Sequence, residues 1–201
     1  MCEDKELVTE LDHQRRNFLL GAVKAFGAFG LLGAIYPLAA SLGPSVTAQA
    51  AGSPVKVDLS QMKAGEQKTV VWRGKPIWII KRKPEMLEQI SKSNEDLRDP
   101  ESNVPQQPEY TKNIYRSIKK DYLILVGVCT HLGCAPTYRP DKGASDIDPS
   151  WPGGFFCACH GSKFDMSGRV FDGVPAPTNL EVPPHRFLDD NTVLIGEDAI
   201  I

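Results

Sequence analysis

Between Arg16 and Lys56 the only charged residue is Lys24, and from Ala25 to Leu42 there is none. At about 1.5 Å per helical residue, that uncharged stretch spans roughly 27 Å, close to the hydrocarbon thickness of a bilayer. The pattern predicts a membrane-spanning helix over residues 18–42, with Lys24 near one end where its stem can reach the headgroups. A buried core helix fits less well, because the segment has no polar face and Gly21, Gly27, Gly30 and Gly33 recur along it. A cleaved export signal is the other reading, with Thr47–Ala50 (TAQA) as a small-residue site, and the pattern leaves cleavage open.

Residues 1–17 are polar and include Arg15 and Arg16, which with Lys24 predict a cytoplasmic N-terminus and an exported body. Arg15–Arg16 ahead of Phe18–Leu19 looks like a twin-arginine signal, the route of proteins that cross already folded. Residues 43–57 are small and polar, punctuated by Pro44 and Pro54, and read as a linker serving as spacer or hinge. The body is then residues 58–201.

Within it, KTVVWR (Lys68–Arg73) and PIWIIKRK (Pro76–Lys83) are strand-like runs separated by Gly74–Lys75, which predicts a hairpin. Residues 84–100 form the one helical piece, with Pro84 in its first turn and Met86, Leu87 and Ile90 on one face. DYLILVGV (Asp121–Val128) is a continuous apolar run, expected of a buried strand leading into Cys129. FFCAC, KFDM, RVFDG and TVLIGE supply further short strands. The expectation is an antiparallel all-β domain with one helical insertion, and no internal repeat beyond two similar Cys/His loops.

Composition adds little: 17 Gly and 16 Pro suit a loop-rich β body. A net charge of −2 with the signs interspersed gives no stripe for nucleic acid. The cysteines add more. Four of the five lie in CTHLGC (Cys129–Cys134) and CACHGS (Cys157–Ser162), each with one histidine, and the fifth, Cys2, is expected to be a free cytoplasmic thiol. Cys129, His131, Cys157 and His160 offer two thiolates and two imidazoles. Disulfides alone would leave both histidines without a role. A Cys/His zinc site would use four ligands and have no use for Cys134 and Cys159. A pair of irons bridged by two sulfides, with two protein ligands per iron, stands beside them.

The two boxes resemble the cluster-binding boxes of Rieske iron–sulfur proteins, specifically the iron–sulfur subunits of ubiquinol–cytochrome c reductases. The resemblance implies a Rieske-type β-sandwich head, with residues 121–180 binding one [2Fe–2S] cluster. It places Cys129 and Cys157 on the inner iron, His131 and His160 on the outer one, and Cys134 with Cys159 in a disulfide bridging the loops. It makes His160, beside His131, the imidazole that meets ubiquinol and takes its proton, and Ser162 the donor to a bridging sulfide. Phe164 stands where many mitochondrial members have tyrosine, which implies a lower potential. Leu132 would dock against the cytochrome b subunit, unless it is a core leucine. Gly173–Pro177 (GVPAP) resembles the family's proline loop with Val174 extra, and the stretch between the boxes, 135–156, is longer than the mitochondrial pattern. The Leu97–Pro100 (LRDP) region matches as well. The implied partners are cytochrome b and a c-type cytochrome in a dimeric complex of the bacterial inner membrane, with the head in the periplasm and swinging on the linker. Two rival readings are the Rieske small subunit of a periplasmic oxidoreductase such as arsenite oxidase, and a zinc-stabilised binding module.

Overall fold

The computed structural model describes residues 3–45, 52–92 and 96–198, with side chains from His13 onward. It divides into two units, residues 1–49 and 50–201. The expected role of Cys2 lies outside the described residues, as does the middle of the expected linker.

The first unit is helix α1, Glu3–Ser41. It begins well before Phe18, because Glu, Leu, Lys, Gln and Arg in residues 3–16 are all good helix formers. His13–Ser41 is long and apolar enough to cross a membrane. Phe18, Phe26, Phe29 and Tyr36 on it are exposed, as a lipid-facing surface would be.

The second unit is built on three antiparallel three-stranded sheets. Strands β2 (Gln67–Trp72), β3 (Lys75–Lys81) and β4 (Tyr122–Val126) form the middle sheet, in that order. The hairpin turn is Arg73–Gly74 rather than Gly74–Lys75: both residues have positive φ, +51° and +73°, as a two-residue turn between twisted strands requires. Lys75 is therefore already in β3, opposite Trp72.

Strand side chains alternate between faces, and both faces of β3 and β4 are covered. Ile77, Ile79, Ile124 and Val126 pack with Val57, Leu59, Val193 and Ile195. Trp78, Ile80, Leu123 and Leu125 pack on the other side with Phe155, Phe164, Val170 and the leading cysteine of each box, Cys129 and Cys157.

The second sheet joins β1 (Val55–Asp58), β9 (Thr192–Ile195) and β8 (His185–Phe187). Strand β1 shortens the linker expected over residues 43–57: Val55, Lys56 and Val57 pair with Ile195, Leu194 and Val193, and Val57 is buried. The third sheet, β5 (Thr137–Arg139), β6 (Gly154–Cys157) and β7 (Ser162–Phe164), carries the second box. RVFDG forms no strand of its own; Val170 and Phe171 make only isolated bridges, to Phe164 and Leu97.

Helix α2 runs over Pro84–Lys92, with Met86 and Ile90 buried. The expected helix to residue 100 is too long, since Leu97 already bridges to Phe171. Beside α2 three buried arginines replace backbone pairing. Arg82 donates to Met166 O, Lys120 O and Tyr115 O, and Arg116 to Ser167 O, Gly168 O and Leu180 O. Arg169 donates to Ile90 O and Pro100 O and pairs with Asp165 at 2.7 Å. Burial lowers Arg82 to about 9 and Arg116 to about 10, so both keep their charge at neutral pH. Satisfied carbonyls let irregular backbone be buried without penalty, which fixes the chain on either side of the second box.

Candidate metal centre

Two strands deliver the two boxes. The fully buried β4 runs into Cys129 through Gly127–Val128, and β6 ends on Cys157. Each box then makes the same turn. Gly133 N–H donates to Cys129 O at 3.0 Å, and Gly161 N–H donates to Cys157 O at 2.9 Å. Both glycines are left-handed, at φ +83° and +77°, where a side chain would be strained. Cys129 N–H also donates to Cys134 O at 2.7 Å, closing the first loop on itself.

The Cys134–Cys159 disulfide ties one loop to the other, with Cα atoms 6.7 Å apart. It takes two of the six box residues out of metal chemistry. The Sγ of Cys157 lies within 4.8 Å of both disulfide sulfurs, but that trio is no ligand set, because two of its members are bonded to each other.

Cys129 and Cys157 remain free thiols, and both are buried. Burial raises the Cys157 thiol above its ordinary range, and a hydrogen bond with Cys129 raises it further, so the two sulfurs are neighbours. Two thiolates side by side need a positive partner, which a metal centre supplies. The two imidazoles meet edge to face with ring centres 4.7 Å apart. His160 is exposed and His131 half-buried. His131 Nδ1 is buried without a hydrogen-bond partner among the described residues, the condition expected of a metal-ligating nitrogen. Two thiols and two imidazoles, one of them with its buried Nδ1 unpartnered among the described residues, fit a four-ligand centre.

The remaining expected residues surround this point. Leu132 projects 71% exposed from the tip of the first box, so it is no core leucine. Ser162 is fully buried and pairs in register with Cys157. Phe164 is fully buried in the same core as both cysteines. In the proline loop Ala176 is buried between exposed Pro175 and Pro177, and its N–H donates to Ser162 Oγ at 3.1 Å. Thr130 Oγ1 donates to Thr178 O at 2.7 Å, so the loop is held to both boxes.

Residues 52–184 match the family described as the Rieske [2Fe-2S] domain. The chain belongs to the Rieske family. It is 52% identical over 188 residues to the ubiquinol-cytochrome c reductase iron-sulfur subunit of Allochromatium vinosum, across 94% of this chain and 91% of that one. To the same subunit of Bradyrhizobium diazoefficiens it is 39% identical over 187 residues, across 92% and 96%. Among solved structures it resembles a hyperthermophilic respiratory Complex III, with a TM-score of 0.46, 26% identity and coverage of 86% and 96%. The cofactor of a Rieske domain is a [2Fe–2S] cluster, and the donor set at the two boxes suits it.

Two supports of this Rieske centre were not read from the sequence. Arg98 donates to Ala176 O and Val174 O from outside the proline loop. In the inter-box stretch, Asp148 pairs at 3.0 Å with Lys163, the residue between Ser162 and Phe164, while the buried Trp151 donates from its indole N–H to Arg139 O. Neither pairing leaves a local pattern; only the Arg and Lys themselves are visible.

Proposed function

We propose that this chain is the electron-transfer subunit of a ubiquinol–cytochrome c reductase, working between ubiquinol at the cytochrome b subunit and a c-type cytochrome subunit. Cys129 and Cys157 would hold one iron of the cluster, and His131 and His160 the other. The cluster, when bound, supplies one-electron redox chemistry. Neutral imidazoles in place of two thiolates remove negative charge at the outer iron, which favours accepting an electron. The single observation that carries this reading is the pair of imidazoles 4.7 Å apart, with His160 exposed and Leu132 projecting from the neighbouring box. His160 meets the quinol hydroxyl and takes its proton at the outer ring nitrogen. Leu132 gives the tip an apolar contact with cytochrome b. The Ser162 hydroxyl would donate a hydrogen bond to the cluster, and the Cys134–Cys159 disulfide keeps the two boxes at one spacing.

Residues 18–42 anchor the chain in the bacterial inner membrane, with residues 1–17 in the cytoplasm and the head in the periplasm. Arg15–Arg16 route it through twin-arginine export, which suits a centre assembled before crossing. Residues 43–54 let the head turn from cytochrome b to the c-type cytochrome, within a dimeric complex.

Metal and sulfide analysis of the purified full-length protein tests this reading, together with the electron paramagnetic resonance spectrum after ascorbate. Two irons and two acid-labile sulfides per chain are expected, with the spectrum of a reduced Rieske centre. One zinc and no sulfide would sink the reading, and a centre that ascorbate leaves oxidised would sink the quinol-oxidising role.

A further inference from the structure

The LRDP segment, residues 97–100, has no part in the chemistry above, yet it lies along the proline loop. Leu97 bridges to Phe171, and Arg98 N–H donates to Val170 O at 3.0 Å. The Arg98 guanidinium then follows the outside of the loop. Nη1 donates to Ala176 O at 2.6 Å, Nη2 to Val174 O at 3.0 Å and Nε to Asp172 Oδ1 at 3.3 Å. The planar fork suits two carbonyls spaced along a backbone, which a lysine ammonium does not match. One of those carbonyls belongs to Val174, the residue this loop has in excess of the usual pattern.

Ala176 is gripped from both sides. Pro175 and Pro177 carry no N–H, so Ala176 supplies the one backbone donor of that tripeptide. That N–H is buried and donates to Ser162 Oγ at 3.1 Å. Once the serine oxygen accepts from Ala176, its own hydrogen must point elsewhere, and Ser162 is the register partner of Cys157. Arg98 outside, Ala176 between and Ser162 inside form one relay of hydrogen bonds.

We propose that Arg98 is a positioning residue for the metal centre: by holding Val174 and Ala176 it orients the Ser162 hydroxyl, and through it sets how readily the centre is reduced. This rests on the reading of Cys129, His131, Cys157 and His160 as cluster ligands. A point charge near the centre would act differently from a clamp, and the two are separable because Lys keeps the charge and loses the fork.

The test uses the full-length protein with Arg98→Lys, Arg98→Gln, Ser162→Ala and the double variant Arg98→Gln/Ser162→Ala. Midpoint potential and amide exchange at Gly173, Val174 and Ala176 are the readouts. Both Arg98 variants lower the potential, and both speed exchange of the loop by about tenfold or more, as loss of charge-assisted hydrogen bonds does. On the Ser162→Ala background Arg98→Gln adds little further shift, because its route has been cut. A wild-type potential in Arg98→Lys, additive shifts in the double variant, or unchanged exchange each overturns the inference. If a variant loses its iron, the exchange rate decides alone. If the unaltered protein holds no iron and sulfide, the ligand reading fails instead; iron-loaded protein with unshifted variants overturns only the role of Arg98.

Discussion

Strands β3 and β4 are buried on both faces, and the two faces are closed by different means. On one, Ile77, Ile79, Ile124 and Val126 meet aliphatic residues from β1 and β9, strand against strand. On the other, Trp78, Ile80, Leu123 and Leu125 meet Phe155, Phe164, the two thiols and Ala176, drawn from short strands and loops. The first face closes by repetition alone. The second has to hold a pair of sulfurs and a pair of imidazoles on two neighbouring turns, and strand side chains, which diverge to opposite faces, do not pair that way. Turns do, and turns need outside support. Here that support is a disulfide, two left-handed glycines, and arginines that cap carbonyls.

Cutting the disulfide is the hardest test of that difference. Cys134 and Cys159 are 25 residues apart, so Cys159→Ser is expected to cost the head about 3 kcal/mol of stability, read from its denaturant midpoint. Ile79→Val, fully buried on the strand-closed face, should cost about 0.5–1.5 kcal/mol. Similar losses for the two would erase the distinction, since the disulfide would then be no more than another packing contact.

A second test stays on the metal-bearing face. Phe164 is fully buried with Cys129 and Cys157, so Phe164→Tyr is expected to bring a hydroxyl donor to the two thiols proposed as ligands. A hydrogen bond to a charged sulfur is worth about 1.5 kcal/mol, and it is expected to favour the reduced centre and raise the midpoint potential. An unchanged or lowered potential would show that the hydroxyl does not reach a sulfur, and would remove Phe164 as the source of a lower potential.

The same contrast governs what could be read beforehand. Strands β2 to β4 are legible because their apolar runs are long and their turn carries a glycine. The two boxes are legible because Cys and His at that spacing serve few other chemistries. Strand β1 was hidden: Val55–Asp58 is four residues after a proline-bearing polar stretch, and only its partner β9, far along the chain, makes it a strand. RVFDG reads as a strand, yet its backbone pairs only in isolated bridges: Phe171 N–H donates to Lys163 O and Arg98 N–H to Val170 O, while Val170 N–H is taken by the Asn179 side chain. The clamp by Arg98 joins residues 76 and 78 positions apart, a pairing no periodicity records.

The smallest expected effect comes from the strand-closed side. His185 begins β8 and is fully buried, with Nδ1 2.8 Å from Pro183 O and Nε2 without a partner among the described residues. Its neighbours are the rings of Tyr110 and Phe187, and Asp198, the acid whose charge acts on it, accepts from the Tyr110 hydroxyl. Burial lowers its pKa below the ordinary 6.5, while the Pro183 contact and Asp198 raise it by less. The unfolded chain therefore binds a proton near 6.5 that the folded chain refuses. The stability this represents is present in full above that pH and is lost as pH falls below it. Denaturant midpoints at about pH 7.5 and about pH 5.5 should drop further for the unaltered protein than for His185→Phe, whose buried ring takes no proton. Equal drops would mean that His185 is already protonated in the folded head, and that the strand-closed face tolerates a buried charge as the arginine-capped loops do.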